Sequence, residues 1–341
     1  MRTLFASIFV LVFLLAPEPS AAQFASLEGK NPPNNQQLLE WMYKYRSKPK
    51  PNRVPDAVRA MKKLGFLRDS EKSEFFVGFI AGVLGANQPK ARSLVRRMFP
   101  MPAKEQAVII KAIAYSGLPD WQALLTEFAP RMPHRKPLIE QYLSGEKKPL
   151  MEQPLEEGTS TLYALWGYYV ATGYYDPVVR VIAALQWSKG GTPTESAFRR
   201  RIRAAFNWSE ADNDLNKATI GGTAKWTLVS HAERDRHLID FYRVQYDYQT
   251  PEVAAKLNEV IAAADAFESE RIRKEELAAI EEIKRRNPEG AGFNRATTLG
   301  SVAIATGCVA ATASGAAVIA VPCIITGAVY TGVVKMLRGS P

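Results

Sequence analysis

The chain has little of what metal and nucleophile chemistry is built from: two cysteines and three histidines in 341 residues. So few cysteines exclude a disulfide-stapled miniprotein or a zinc domain made of Cys ligands. No GxSxG, HExxH or phosphate-binding glycine loop occurs, and Cys308 and Cys323 lie far in sequence from any histidine. No nucleophile motif is legible and no cofactor or metal is expected. Sustained alternation of apolar and polar residues is also missing outside 224–230, which excludes a major sheet. Hydrophobic residues are not scarce. They make up 47% of the chain, which excludes intrinsic disorder and leaves ample material for one large or two modest domains.

Residues 1–22 read as a secretory signal peptide. Arg2 gives a positive start, 4–15 is an uncharged apolar run, Pro17 and Pro19 break it, and Ser20, Ala21 and Ala22 form a small-residue cleavage site before Gln23. The run is short for an uncleaved anchor. The mature protein is therefore expected to be exported, to the periplasm or cell envelope. Residues 296–334 are all uncharged. A continuous helix there would be about 58 Å long, nearly twice a hydrocarbon core, so a hairpin of two helices fits, as does one span plus an interfacial part. Ala303, Gly307, Ala311 and Gly315 share one helix face suited to close packing. The segment resembles a glycine zipper of bacterial envelope proteins, which implies membrane attachment or oligomerisation. The alternative is a buried hairpin of a soluble protein, and the flanking basic residues leave the topology open. A turn near Gly315 would bring Cys308 opposite Cys323 as a candidate disulfide, whereas a helix starting at Pro322 would misalign the two thiols.

Between the ends the spacing is helical. Phe75, Phe76, Phe79, Ile80, Val83 and Leu84 form a broad apolar stripe, with Gly78 and Gly82 as a second, small-residue face. Asp69 and Ser70 offer an N-cap for that helix. Helix pairs are predicted at 69–98, 103–128 and 159–187, joined by turns of Gly, Pro, Asn or Asp. The fold class expected is all-α: stacked helix pairs in an irregular solenoid or bundle over 23–249, then a long charged helix over 250–290. In the latter Val253, Leu257, Val260, Ala264 and Phe267 keep an apolar spacing, followed by i,i+4 ion pairs such as Glu270 with Lys274 and Glu281 with Arg285. Unbroken over 251–286 it would reach about 54 Å, either as a stalk to the membrane or packed on the body.

Gly167, Tyr169, Gly173, Tyr175, Asp176 and Leu185 lie close to the small, aromatic and turn positions of a tetratricopeptide repeat, and this pair resembles that family. The resemblance implies a helical scaffold with a concave partner-binding face.

His231, Glu233, Asp235, His237 and Asp240 make the densest cluster of ligating side chains, predicted on one helix, with His231 and Asp235 sharing a face and Glu233 and His237 another. The two pairs do not converge, and the competing reading is a solvated charged helix. Glu195 is the nearest candidate for the general acid of a cell-wall hydrolase. The net charge of +10 survives removal of 1–22, since Arg2 and Glu18 leave together. Lys44, Arg46, Lys48, Lys50 and Arg53, and Arg199, Arg200, Arg201 and Arg203, are two basic clusters suited to anionic lipid or cell-wall polymer. Export argues against nucleic acid. Tyr163, Trp166, Tyr169, Tyr174 and Tyr175, with Arg199, Arg200 and Arg203, form a candidate partner face, the aromatics being core as the alternative. These features point to a non-catalytic helical binding protein of the bacterial envelope, its partner an envelope protein, anionic lipid, cell-wall polymer or second copy. The alternatives are a periplasmic cell-wall hydrolase and a membrane-active, pore-forming or toxin-like protein.

Overall fold

Apolar side chains repeating every three to four residues can be buried along one stripe only if the backbone is helical. The computed structural model, which describes residues 34–68, 73–188, 208–267 and 269–286, is all-helical, with thirteen α-helices packed on one another and no strand among the described residues. In chain order these are α1 (Asn35–Lys44), α2 (Val54–Lys63), α3 (Glu74–Ala86), α4 (Gln88–Met98), α5 (Gln106–Ala114), α6 (Trp121–Phe128) and α7 (Lys136–Leu143). They continue as α8 (Thr159–Thr172), α9 (Asp176–Ala183), α10 (Trp208–Arg234), α11 (His237–Tyr246), α12 (Pro251–Asp265) and α13 (Ser269–Arg286). Short 3-10 turns join several of them. The signal-like segment 1–22, the N-cap candidates Asp69 and Ser70, and 296–334 with Ala303, Gly307, Ala311, Gly315, Cys308 and Cys323 lie outside the described residues, as do Glu195, Arg199, Arg200, Arg201 and Arg203. No helix among the described residues is long and apolar enough to cross a membrane.

The centre is α3. Every residue from Glu74 to Leu84 is buried, so the helix has no solvent face. Its closest partner is α8 from the third predicted pair. Glycines set that approach: a Cβ at Gly78 would fall 1.9 Å from the Ala164 carbonyl oxygen, and one at Gly167 would fall 2.0 Å from the Phe75 carbonyl oxygen. Gly82 meets Ala171 and Thr172 in the same way. The small face of α3 is thus the contact with α8. Gly167 has α3 backbone as its nearest neighbour. The break expected at Gly173 is present as a left-handed cap, φ 75°, whose N–H donates to the Tyr169 carbonyl at 2.7 Å.

The C-terminal helices form a second layer on α10. Gly221 lets α10 lie against the backbone of Trp187 and Ser188. Lys225, buried on α10, donates to Glu259 of α12 at 2.8 Å and reaches Glu276 of α13 at 3.3 Å, so one ammonium ties three helices. The single long helix expected over 251–286 is corrected here. The chain leaves the helix after Asp265, Phe267 takes a left-handed φ of 55°, and α13 starts again at Ser269. Ile272, Arg273, Glu276 and Ile280 are then buried, so α13 packs on the body along α10. The outside partner that stabilises the break is Glu233 of α10, whose carboxylate accepts from Ser269 N at 2.9 Å and Ser269 Oγ at 2.7 Å. Those are orphan donors of a helix N-terminus.

Candidate functional site

Three stretches far apart in sequence meet at one place: the end of α1, the second half of α8, and the corner between α10 and α11. Trp166 and Tyr169 stand three residues apart, hence on one face of α8, and both are buried. His231 of α10 lies flat on Trp166, with ring centroids 3.8 Å apart and planes 7° apart. Tyr43 of α1 closes on His231 at 6.0 Å between centroids, and the Arg234 guanidinium sits 4.0 Å above the Tyr43 ring. One turn beyond His231, Asp235 accepts from Tyr169 Oη at 2.5 Å and pairs with Arg46. The Arg46 guanidinium in turn lies 5.0 Å above the Tyr169 ring.

Burial governs the protonation states. It holds the His231 imidazole well below its ordinary range, and the positive charges of Arg234 and Arg46 act in the same direction. It raises the Tyr43 phenol against the opposing charge of Arg234, and it raises Tyr169, with the bond to Asp235 adding to the effect. The imidazole is therefore neutral and both phenols are protonated at neutral pH. His231 is only 2% exposed, and neither its Nε2 nor Trp166 Nε1 has a hydrogen-bond partner among the described residues. The Asp235 carboxylate is already engaged on two sides. This inner cluster holds elements together; it presents neither group to a substrate.

From it the rings step outward. Tyr169 is 5.9 Å from Tyr175 between centroids, and Tyr175 stacks on Phe241 of α11 at 4.2 Å with planes 16° apart. Phe241, Val244 and Tyr248 follow at i, i+3 and i+7, one side of α11 and its final turn. Tyr174 is 59% exposed, Tyr175 37%, Val244 58% and Tyr248 78%. A row of large apolar side chains thus faces solvent where core residues would be covered.

The predicted residues divide accordingly. Of the candidate partner face, Tyr163, Trp166 and Tyr169 are buried and belong to the core, which corrects that part of the expectation; Tyr174 and Tyr175 are at the surface. Arg199, Arg200 and Arg203 lie outside the described residues. His231 and Asp235 do share a face. Glu233 is on α10 but is taken up by Ser269, and His237 and Asp240 are carried off on α11, which starts after α10 has ended at Arg234. Among the described residues no three His, Cys, Asp or Glu side chains are placed to hold a metal ion. Phe241, Val244 and Tyr248 were missed. Their helical spacing is visible in the sequence, but such spacing is ordinarily read as a buried stripe.

A second polar cluster lies at the start of α3. Glu74 is buried and pairs with Lys111 of α5, while Tyr142 Oη donates to Tyr115 Oη at 3.2 Å. Burial raises the Glu74 carboxyl above its ordinary range against the pull of Lys111. A carboxyl with raised proton affinity suits a general acid, but Glu74 is enclosed by the core and opens onto no substrate. Comparison with protein-family models, with curated proteins and with solved structures finds no match.

Proposed function

We propose that this chain is a non-catalytic helical binding protein of the bacterial cell envelope, exported by 1–22 and tethered or oligomerised through 296–334. In this reading the body engages a cell-wall polymer along the stripe of the exposed Tyr174, Tyr175, Val244 and Tyr248 and the half-buried Phe241. The stripe is the observation that carries it. Large rings left in water are costly unless something covers them, and flat phenol and phenyl faces suit the apolar faces of sugar rings. Beside the stripe on the chain stand the exposed Asp247 and the half-buried Gln245 and Gln249. They supply donors and acceptors for hydroxyl and charged groups.

The test has two arms. Cells expressing the full chain and a chain ending at Arg286 are fractionated, and the purified shorter chain is sedimented with insoluble peptidoglycan and, separately, with anionic vesicles. The expected result is an envelope-bound full chain starting at Gln23, a released shorter chain, and co-sedimentation with peptidoglycan that is lost in Tyr174→Ser/Tyr175→Ser/Tyr248→Ser. Retention of Met1 on most of the protein overturns export. Equal sedimentation of the triple variant, or capture by vesicles alone, overturns the polymer-binding stripe.

A further inference from the structure

We propose that His231 is an acid-sensitive latch, whose protonation frees the α10–α11 corner from α1 and α8. The geometry points to this because, of the rings named at this corner, the imidazole is the one that acidification would charge. It is enclosed, it lies flat on Trp166 at 3.8 Å, and its Nε2 has no acceptor among the described residues that could take up a second N–H. A buried cation without a partner is strongly disfavoured.

The groups that face it make matters worse for the imidazolium. On its own helix stands Arg234, with Asp235 just past the helix end; the turn after α1 contributes Arg46; α1 contributes Tyr43; α8 contributes Trp166 and Tyr169. From α3 comes only Phe75, packed on Tyr43, and from α11 the buried Tyr242, whose hydroxyl donates to the Leu228 carbonyl at 3.1 Å. Two of these groups are cations. The one anion, Asp235, is already held by Arg46 and Tyr169. The tyrosines stay neutral throughout the acid range. A proton on His231 thus meets two guanidiniums and no open carboxylate, and it is best accommodated by moving the ring into water.

The sign follows from linkage. A histidine freed by opening takes up its proton near pH 6.5, whereas the enclosed one resists until well below that. Between those two values the open state binds more protons than the closed one. The latch is therefore secure above about pH 6.5, and each unit of acidification below it multiplies the opening equilibrium by up to tenfold. Opening would lift Asp235 from Arg46 and Tyr169, the same hold that seats the start of α11 and its stripe. The latch stands independently of what the stripe binds.

Hydrogen exchange of the full chain, read by mass spectrometry from pH 4.5 to 8 and corrected for intrinsic rates, tests it. Amides of 226–246 are expected to lose protection on acidification by up to tenfold per unit more than those of α3, and His231→Phe, which keeps a flat apolar ring on Trp166, is expected to abolish that excess. An identical pH profile in wild type and His231→Phe overturns the latch. Should the variant fail to fold, the three histidine ring signals of the wild type are titrated by NMR. A ring signal that stays neutral until well below pH 6.5 supports the latch, and the absence of any such signal overturns it.

Discussion

Replacing Gly167 by Ala sets two principles against each other at one atom. In a helix interior the added methyl normally stabilises, by about 1 kcal/mol over glycine. Here it would sit 2.0 Å from the Phe75 carbonyl oxygen, 2.7 Å from the Phe79 nitrogen and 2.9 Å from the Phe75 carbonyl carbon, all backbone atoms of α3. No rotamer change relieves contacts with backbone. Ordinary contact begins at 3.4 Å, so α3 and α8 would have to part by roughly 1.4 Å. Gaps of that order forfeit about half of the dispersion energy between the facing surfaces, on the helix that is buried on every side. Overpacking of this kind costs about 3 kcal/mol or more, which leaves a net loss of about 2 kcal/mol after the propensity gain. In a helical body of this size that lowers Tm by about 4–8 °C. Gly222→Ala is the matched control. It too is helical, but its Cβ would meet only the Glu276 side chain, at 3.1 Å or more, and its net change should stay within about 1 kcal/mol of zero. Urea and thermal melts followed by circular dichroism compare the two. A Gly167→Ala variant as stable as the wild type would refute the close crossing of α3 and α8.

Other perturbations probe the buried charges. Lys225→Ala removes the ammonium shared by Glu259 and Glu276, the latter with its side chain only 7% exposed, and should cost about 3–5 kcal/mol in urea unfolding; a loss below 1 kcal/mol would mean that the ammonium does not tie the layer. Glu233→Ala takes both capping bonds from Ser269 and should cost about 1–2 kcal/mol. Hydrogen exchange should place that loss at the start of α13, and an effect spread evenly over the chain would contradict the capping role. Glu74 has a folded-state proton affinity raised by burial, so the folded state binds a proton more tightly than the unfolded one. Stability from this group therefore grows as pH falls through the raised value and is lost as pH rises above it. Wild type should gain on Glu74→Gln between pH 7 and 4.5, as measured by urea midpoints at each pH, and parallel curves would refute the shift.

Local structure was legible where the signal is local. The stripe of Phe75 to Leu84, the glycine face of α3 and the stop at Gly173 all follow from spacing and from the conformations glycine permits. The partner of that glycine face was not legible, because α3 meets α8 across more than seventy intervening residues and nothing in either helix names the other. The same limit applies to the inner cluster. His231 and Asp235 are visibly on one face, but Arg46, which engages Asp235, is 189 positions away. The break at Phe267 left no mark either, since a left-handed phenylalanine carries none of the usual turn residues and the stabilising partner is again distant. Exposure misled in both directions. Trp166 and Tyr169 are core, while Val244 and Tyr248, equally apolar in pattern, face water.

The charged run Glu233, Arg234, Asp235 and Arg236 shows why. Within a continuing helix such a run spreads around the axis and is solvated, which is how charge alone reads. Here the helix ends inside the run, so each side chain leaves in a different direction and finds a different element. Glu233 caps α13, and Arg234 covers Tyr43 of α1. Asp235 takes Arg46 and Tyr169. Arg236 donates to the Ala264 carbonyl and to Asp265 at the end of α12, both at 2.8 Å. Hydrogen bonds to charged groups in partly buried settings, such as Glu233 with Ser269 and Asp235 with Tyr169, contribute about 1.5–3 kcal/mol each, against about 0–1 kcal/mol for exposed pairs such as Arg236 with Asp265 and Arg285 with Glu282. Four consecutive residues therefore fix four elements, α1, α8, α12 and α13, around the point where α10 turns into α11. The position of the exposed stripe on α11 depends on that corner more than on any contact the stripe itself makes.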